Sequence, residues 1–337
     1  MQGEPSPITA SNQGAALKLT VCRDQCYRDA PLMSRLLRHL IVALPFSLLL
    51  VGHGTFAQTP APIPVVTTLP FLKEFVERVG GATVTVTNLV NGAGHIDAYS
   101  PTPDDLVAVG RARLLVQLGV GMETWTIPMI QAANNPRVTI VTAGRGIPLL
   151  RDATIDNQDA MGHAHGSGNP HIWLDPENAK MMIRTITDAM IKIVPAQRAV
   201  LLANQAQYLK AIDAVEATIK QQVRRLKDRR IIANDATWSY FARRFGFQIK
   251  GVMDEMPGGE TPMGVQTDLA ALIRRTRIKV IVTEPHLNSG AARALAEQTG
   301  AVLVPLASLP GALPGTDTYL DMLSYDARQL IEALSRP

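Results

Sequence analysis

The chain has 337 residues, 46% hydrophobic and 18% charged, with a formal net charge of +4. That length and apolar content fit two ordinary globular domains with full cores and exclude disorder throughout. The clustered basic residues (Arg224, Arg225, Lys227, Arg229, Arg230; Arg274, Arg275, Arg277, Lys279) fall at expected helix ends and lack interleaved aromatics, so they read as solvated helix termini and exclude a nucleic-acid platform.

In chain order the first signal is a leader. Ser34, Arg35 and Arg38 precede an apolar stretch from Leu40 to Val51 and then Thr55-Phe56-Ala57-Gln58. This is the order of a secretory signal peptide, and the apolar run is too short for a comfortable membrane span. Residues 33–57 are therefore expected to be a signal peptide cleaved after Ala57. Residues 1–32 fit no fold and read as a misassigned start, with translation beginning at Met33. Cys22 and Cys26 both lie in that leader, and no cysteine stands at the cleavage boundary. The mature chain is expected to be periplasmic, free of cysteine and without a lipid anchor, which excludes a cysteine-based zinc or redox site.

After a Pro-rich linker, short β-branched runs alternate with helical patterns. Strands are expected at 65–68, 84–90, 114–118 and 138–141, and helices at 71–79 and 103–110; this alternation implies βαβ units and a parallel sheet. A polar run from Arg151 to Gly168 reads as a loop. Asp175, Pro176 and Glu177 make a strong helix start directly after His171, and the helix carries Met182, Ile183, Ile186, Met190 and Ile193 on one face before Pro195 stops it. A second long helix is expected over 197–227. The alternation then resumes, with strands at 231–233, 248–252, 279–283 and 301–306 and helices at 237–245, 265–274, 291–298 and 318–334. The expected organisation is an N-terminal α/β lobe (58–170), a hinge and linker helix (171–194) and a C-terminal α/β lobe (195–337).

In open α/β sheets, ligands bind beyond the carboxyl ends of the strands. His95 and Asp97 follow the strand at 84–90, Asn234 and Asp235 follow 231–233, and Glu284 and His286 follow 279–283. With His171 at the junction, these clusters can converge between the lobes. His171, His95, Asp235 and Glu284 form the candidate metal-ligand set, with Asp97, Asn234 and His286 as additional or alternative ligands. His163 and His165 form a His-x-His pair capable of weak capture from the loop. Two imidazoles and two carboxylates suit zinc, and also manganese or iron(II), and argue against copper(I). Each has a plainer reading too: His95 as a loop residue, His171 as a fixture of its loop, Asp235 as a helix cap, and Glu284 as an ion-pair partner or a group orienting a ligand.

At this point the chain resembles the metal-binding solute-binding proteins of bacterial zinc and manganese ABC transporters, from Val65 to Leu334. The motifs that carry the resemblance are Tyr99-Ser100-Pro101-Thr102-Pro103-Asp104, Asn169-Pro170-His171-Ile172-Trp173-Leu174-Asp175-Pro176, Tyr240-Phe241-Ala242-Arg243-Arg244-Phe245-Gly246 and Thr283-Glu284-Pro285. Pro257-Gly258-Gly259-Glu260-Thr261-Pro262 and Gly315-Thr316-Asp317-Thr318-Tyr319 support them. The resemblance implies an α/β fold of two parallel-sheet βα lobes bridged by a long rigid helix, one divalent metal ion in the cleft between them, and little closing motion. It also implies delivery to an ABC transporter permease in the inner membrane; the carrier is expected to be a monomer. Of the family's ligands, only His171 is carried over unchanged. The first, a histidine two residues before the motif tyrosine, falls on Asp97, with His95 two residues earlier; the third falls on Asp235; the final aspartate falls where Ala307 and Ser308 stand.

The leading expectation is a periplasmic carrier of zinc, with manganese or iron(II) as alternatives, and not an enzyme. A second class is a relative whose altered site holds another small ligand or a partner. A metallohydrolase is the third, for which the chain offers neither H-E-x-x-H nor a nucleophile elbow.

Overall fold

The computed structural model describes residues 61–91, 96, 99–151, 168–253, 261–285 and 290–336. Each run of short strands builds its own parallel sheet. The first contains β1 (Ile63–Thr67), β2 (Val84–Asn88), β3 (Leu114–Gln117) and β4 (Thr139–Thr142) in the order β2-β1-β3-β4. The second contains β5 (Arg230–Ala233), β6 (Gln248–Val252), β7 (Val280–Thr283) and β8 (Val302–Pro305) in the order β6-β5-β7-β8. All six described pairings are parallel. In both sheets the first strand is flanked by the second on one side and the third on the other, so the strand order reverses at β1/β3 and at β5/β7. Such a reversal opens a crevice at the carboxyl ends of the strands.

The helices are α1 (Pro70–Gly80), α2 (Pro103–Arg111), α3 (Thr126–Ala133), α4 (Pro176–Ile193), α5 (Arg198–Val223), α6 (Ser239–Phe245), α7 (Met263–Thr276), α8 (Gly290–Thr299) and α9 (Tyr319–Ser335). The sequence pattern missed α3, which opens on Thr126, Ile127 and Pro128. Two β-branched residues and a proline read against a helix, yet a first-turn proline loses no helical hydrogen bond. The expected helix at 237–245 divides into a 3-10 turn (Ala236–Trp238) and α6, and another 3-10 turn (Ile172–Leu174) stands between His171 and α4. The expected long helix over 197–227 ends as α5 at Val223, where the backbone tightens through Arg225 N–H to Gln222 C=O and Leu226 N–H to Val223 C=O.

The bridging helix α4 starts as expected. Asp175 accepts the Glu177 N–H at 2.9 Å and Pro176 opens the first turn. Its apolar face, with Met182, Ile183, Ile186 and Met190, is fully buried, and it packs against α1 and α5. One apolar core joins both sheets through this layer. Trp173 stacks on Phe71 of α1 at 5.0 Å, and Tyr319 of α9 meets Phe75 edge-on at 5.1 Å. A smaller cluster around Ile232, Leu269, Ile273, Ile281 and Leu295 lies under α7 and α8. Among the described residues no helix is long and apolar enough to cross a membrane.

Candidate metal centre

His171 is placed by the two residues just before it. Gly168 has φ +130°, and a Cβ there would meet the Leu150 carbonyl at 2.8 Å, so only glycine lets the chain turn this closely. Asn169 is fully buried, and its backbone N–H donates to Leu150 C=O at 2.8 Å. Its Nδ2 donates to Ala236 C=O at 2.7 Å, and its Oδ1 accepts the His171 backbone N–H at 3.0 Å. These two contacts fix which end of the amide is oxygen. The same Oδ1 lies 3.0 Å from His171 Nδ1 and accepts from it, which fixes the ring and turns Nε2 toward Thr237. This is how metal-binding imidazoles are held, by a neighbour that sets tautomer and ring orientation. Tyr240 donates to Asn169 C=O at 2.8 Å and accepts the Leu150 N–H at 2.9 Å, so the support is itself braced.

The oxygen donors come from the carboxyl ends of β5 and β7, on either side of the reversal in strand order. Asp235 Oδ1 accepts the Thr237 N–H at 2.9 Å and caps the short turn there. The plainer reading of Asp235 as a cap is thus correct, and it also fixes the carboxylate at the strand end. Thr237 Oγ1 lies 3.3 Å from His171 Nε2 and also hydrogen-bonds Glu284. A single hydroxyl therefore stands between the imidazole and the buried carboxylate. Burial pushes the Glu284 carboxyl well above the ordinary range; the Asp235 and Asp326 charges add to this, and the Ser308 and Thr237 hydroxyls oppose it. A cation bound here would relieve the repulsion between Asp235 and Glu284.

His171, Asp235 and Glu284 thus gather around Thr237, although among the described residues their ligand atoms do not all come within 4.8 Å of one another. Asn234, beside Asp235, is 1% exposed, and neither its Oδ1 nor its Nδ2 has a hydrogen-bond partner. His95, Asp97, His163, His165 and His286 lie outside the described residues. Ile96, between His95 and Asp97, is held: its carbonyl accepts the Trp125 indole N–H at 2.9 Å, and Trp125 packs on Tyr99 with centroids 4.8 Å apart. Tyr99 donates to Asp105 at 2.7 Å, and Thr102 and Asp105 form a capping box at the start of α2.

Sequence reasoning missed several residues that build this region. Asn169 was read only as part of the motif around His171 and Thr237 only as the start of a helix, and Trp125 stands just before the unrecognised α3. Glu123 is another: it is 5% exposed and accepts the Leu118 and Gly119 N–H groups at 2.9 and 2.6 Å and the Thr68 hydroxyl, tying together the ends of β1 and β3. Burial raises its carboxyl pKa. One carboxylate group whose atoms do converge, Glu177, Asp213 and Glu216, already surrounds the buried Lys180 ammonium, at 2.6, 2.5 and 3.7 Å. That cluster has its own internal cation.

Residues 65–333 match the family described as zinc-uptake complex component A, periplasmic. The chain is 25% identical over 276 residues to the iron-binding protein YfeA of Yersinia pestis, covering 80% of this chain and 85% of that one. It is 22% identical over 281 residues to the manganese-binding lipoprotein MntA of Halalkalibacterium halodurans, covering 81% and 89%. A crystal structure of ZnuA superimposes with a TM-score of 0.71 at 24% identity, over 81% of this chain and all (100%) of that one, which establishes the shared two-lobe fold.

Proposed function

The chain belongs to the periplasmic zinc-uptake component A family, and on that premise we propose that it captures a divalent transition-metal ion outside the cytoplasm and delivers it to an ABC importer in the membrane. His171, Asp235 and Glu284 are the ligands the reading rests on, with His95 from the loop after β2. Asp97, Asn234 and His286 are alternative donors. The observation that carries it is the fixed imidazole: Asn169 Oδ1 holds Nδ1 and turns Nε2, the other ring nitrogen, toward the Thr237 and Glu284 end of the second sheet. Mixed nitrogen and oxygen donors suit Zn2+, Mn2+ and Fe2+, the cargo of this reading. The signal peptide at 33–57 accounts for export, and a mature N-terminus at Gln58, read by mass spectrometry, is the expected product.

Imidazole and carboxylate must lose their protons to bind metal, so affinity falls as pH drops through the histidine range. The test is a titration of the purified chain with Zn2+, Mn2+ and Fe2+ beside His171→Ala. We expect about one equivalent bound by the parent and a loss of at least about 100-fold in affinity in the variant, since a ligand is worth more than the 10–100-fold typical of its supporting neighbours. Equal binding by both proteins would sink the assignment.

A further inference from the structure

Two of the sequence motifs meet in the folded chain. Tyr240-Phe241-Ala242-Arg243-Arg244-Phe245-Gly246 supplies α6, and Asn169-Pro170-His171-Ile172-Trp173-Leu174-Asp175-Pro176 supplies the segment that carries His171. Tyr240 and Arg244 are four residues apart on α6, so they lie on one face of it. Each takes one end of the segment. The Tyr240 hydroxyl donates to Asn169 C=O at 2.8 Å. The Arg244 guanidinium forks onto Asp175, with Nε donating to Oδ1 at 2.5 Å and Nη2 to Oδ2 at 2.8 Å. His171 lies between these two anchor points in the chain.

The helix that does this is itself fixed. Phe241 and Phe245 of α6 are buried; Phe241 stacks on Phe247 with centroids 5.9 Å apart and meets Trp238 edge-on at 6.1 Å. The helix also follows directly on the Ala236–Trp238 turn that Asp235 caps. The side chains that grip the His171 segment therefore belong to the same piece of structure as Asp235 and Thr237. An ion pair largely removed from water adds little net stability, because desolvation offsets much of its attraction. A bidentate fork does fix distance and orientation, which a lysine in the same place would not. The adjacent Arg243, by contrast, is exposed.

We propose that Tyr240 and Arg244 are positioning residues for metal capture, a two-point clamp that keeps His171 in register with the Asp235–Thr237 turn; the inference rests on reading His171, Asp235 and Glu284 as the metal centre. A binding constellation works only while its donors stay within about 0.5 Å of their productive places. With either end of the segment released, the imidazole can swing about the other. The loss then shows mainly as faster metal dissociation, since the donors themselves are unchanged.

The test measures Zn2+ affinity and Zn2+ release into excess chelator for the full chain, well below each variant's melting temperature. Tyr240→Phe keeps the ring and removes the hydroxyl; Arg244→Lys keeps the charge and removes the fork. Arg243→Lys is the same change one residue earlier and should bind as the parent does. Each clamp variant should release Zn2+ about 10-fold faster, with a matching loss of affinity. The double variant should lose less than the product of the two, because either change alone frees the segment. Fully multiplicative losses would mean two independent contacts and no clamp. If the clamp variants melt lower but bind Zn2+ as the parent does, while His171→Ala loses binding, the centre stands and the two residues serve stability alone. If His171→Ala also binds as the parent does, the centre was misread and the inference falls with it.

Discussion

At the residue scale, buried polar groups gather at the carboxyl end of the second sheet. Glu284, Asp326, Thr237 and Asn234 are each at most 3% exposed, and the carboxyl groups of Glu284 and Asp326 are both pushed well above their usual range, chiefly by burial. In the unfolded chain such groups titrate near about pH 4. Between that pH and the raised folded value, the folded protein holds protons that the unfolded chain has already released. Their contribution to metal-free stability is therefore complete below about pH 4 and is lost as pH rises through the folded values. Glu284→Gln removes one such group while leaving an acceptor for the Ser308 and Thr237 hydroxyls. Metal-free melting temperatures of parent and variant, measured from about pH 5 to about pH 8, should diverge in the variant's favour as pH rises. Parallel curves would show that Glu284 ionises as freely folded as unfolded.

At the element scale, α4 is anchored by charge at its exposed edge and by apolar packing beneath. Lys180, 6% exposed, meets Glu177, Asp213 and Glu216, while Arg244 of α6 grips the Asp175 cap through two bonds of 2.5 and 2.8 Å. Removing one partner of a buried pair costs about 3–5 kcal/mol when the other is left alone. Here Glu177 and Asp213 are largely exposed, and buried Glu216 keeps Lys220 at 2.5 Å and Arg244 at 3.6 Å. Lys180→Met should therefore cost nearer about 2 kcal/mol in denaturant unfolding, with metal affinity unchanged. A loss of metal binding would instead tie this network to the His171 segment. The start of α4 was legible because Asp175-Pro176-Glu177 is a local signal that needs no tertiary partner. The eight strands were equally legible from β-branched runs at parallel-sheet spacing. The pattern failed at α3, where packing of Trp125 and Met129 overrides a sequence that looks unlike a helix. The candidate site was half legible: His171, Asp235 and Glu284 stand at strand and helix ends, where sequence spacing can find them, and the structure gathers them around Thr237. Asn169 and Thr237 act through contacts 67 and 66 residues away in sequence, which no local spacing encodes.

At the scale of the whole molecule, the question is how far the two sheets can move when metal binds. A periplasmic receptor that closes like a hinge needs its lobes joined by chain and little else. Here they share a core. Trp173 stacks on Phe71, its indole N–H donates to Ser308 C=O at 2.7 Å, and its own carbonyl accepts the Tyr319 hydroxyl at 2.7 Å. Tyr319 N–H donates to Glu74 at 2.6 Å, and Glu74 also accepts the Tyr208 hydroxyl at 2.8 Å. Elements from α1, α5 and α9 thus meet around one tryptophan beside His171. Opening the cleft widely would expose that aromatic cluster and break buried hydrogen bonds, a cost no single bound ion readily offsets. Metal loading should therefore shift the backbone by about 1 Å or less, and small-angle scattering curves of metal-free and metal-loaded protein should superimpose. Trp173→Ala removes the joint at a cost of about 3–5 kcal/mol and should make the metal-free form measurably larger than the loaded one. A large change of radius in the parent itself would mean that the shared core separates on opening, and that α4 acts as a hinge rather than a strut.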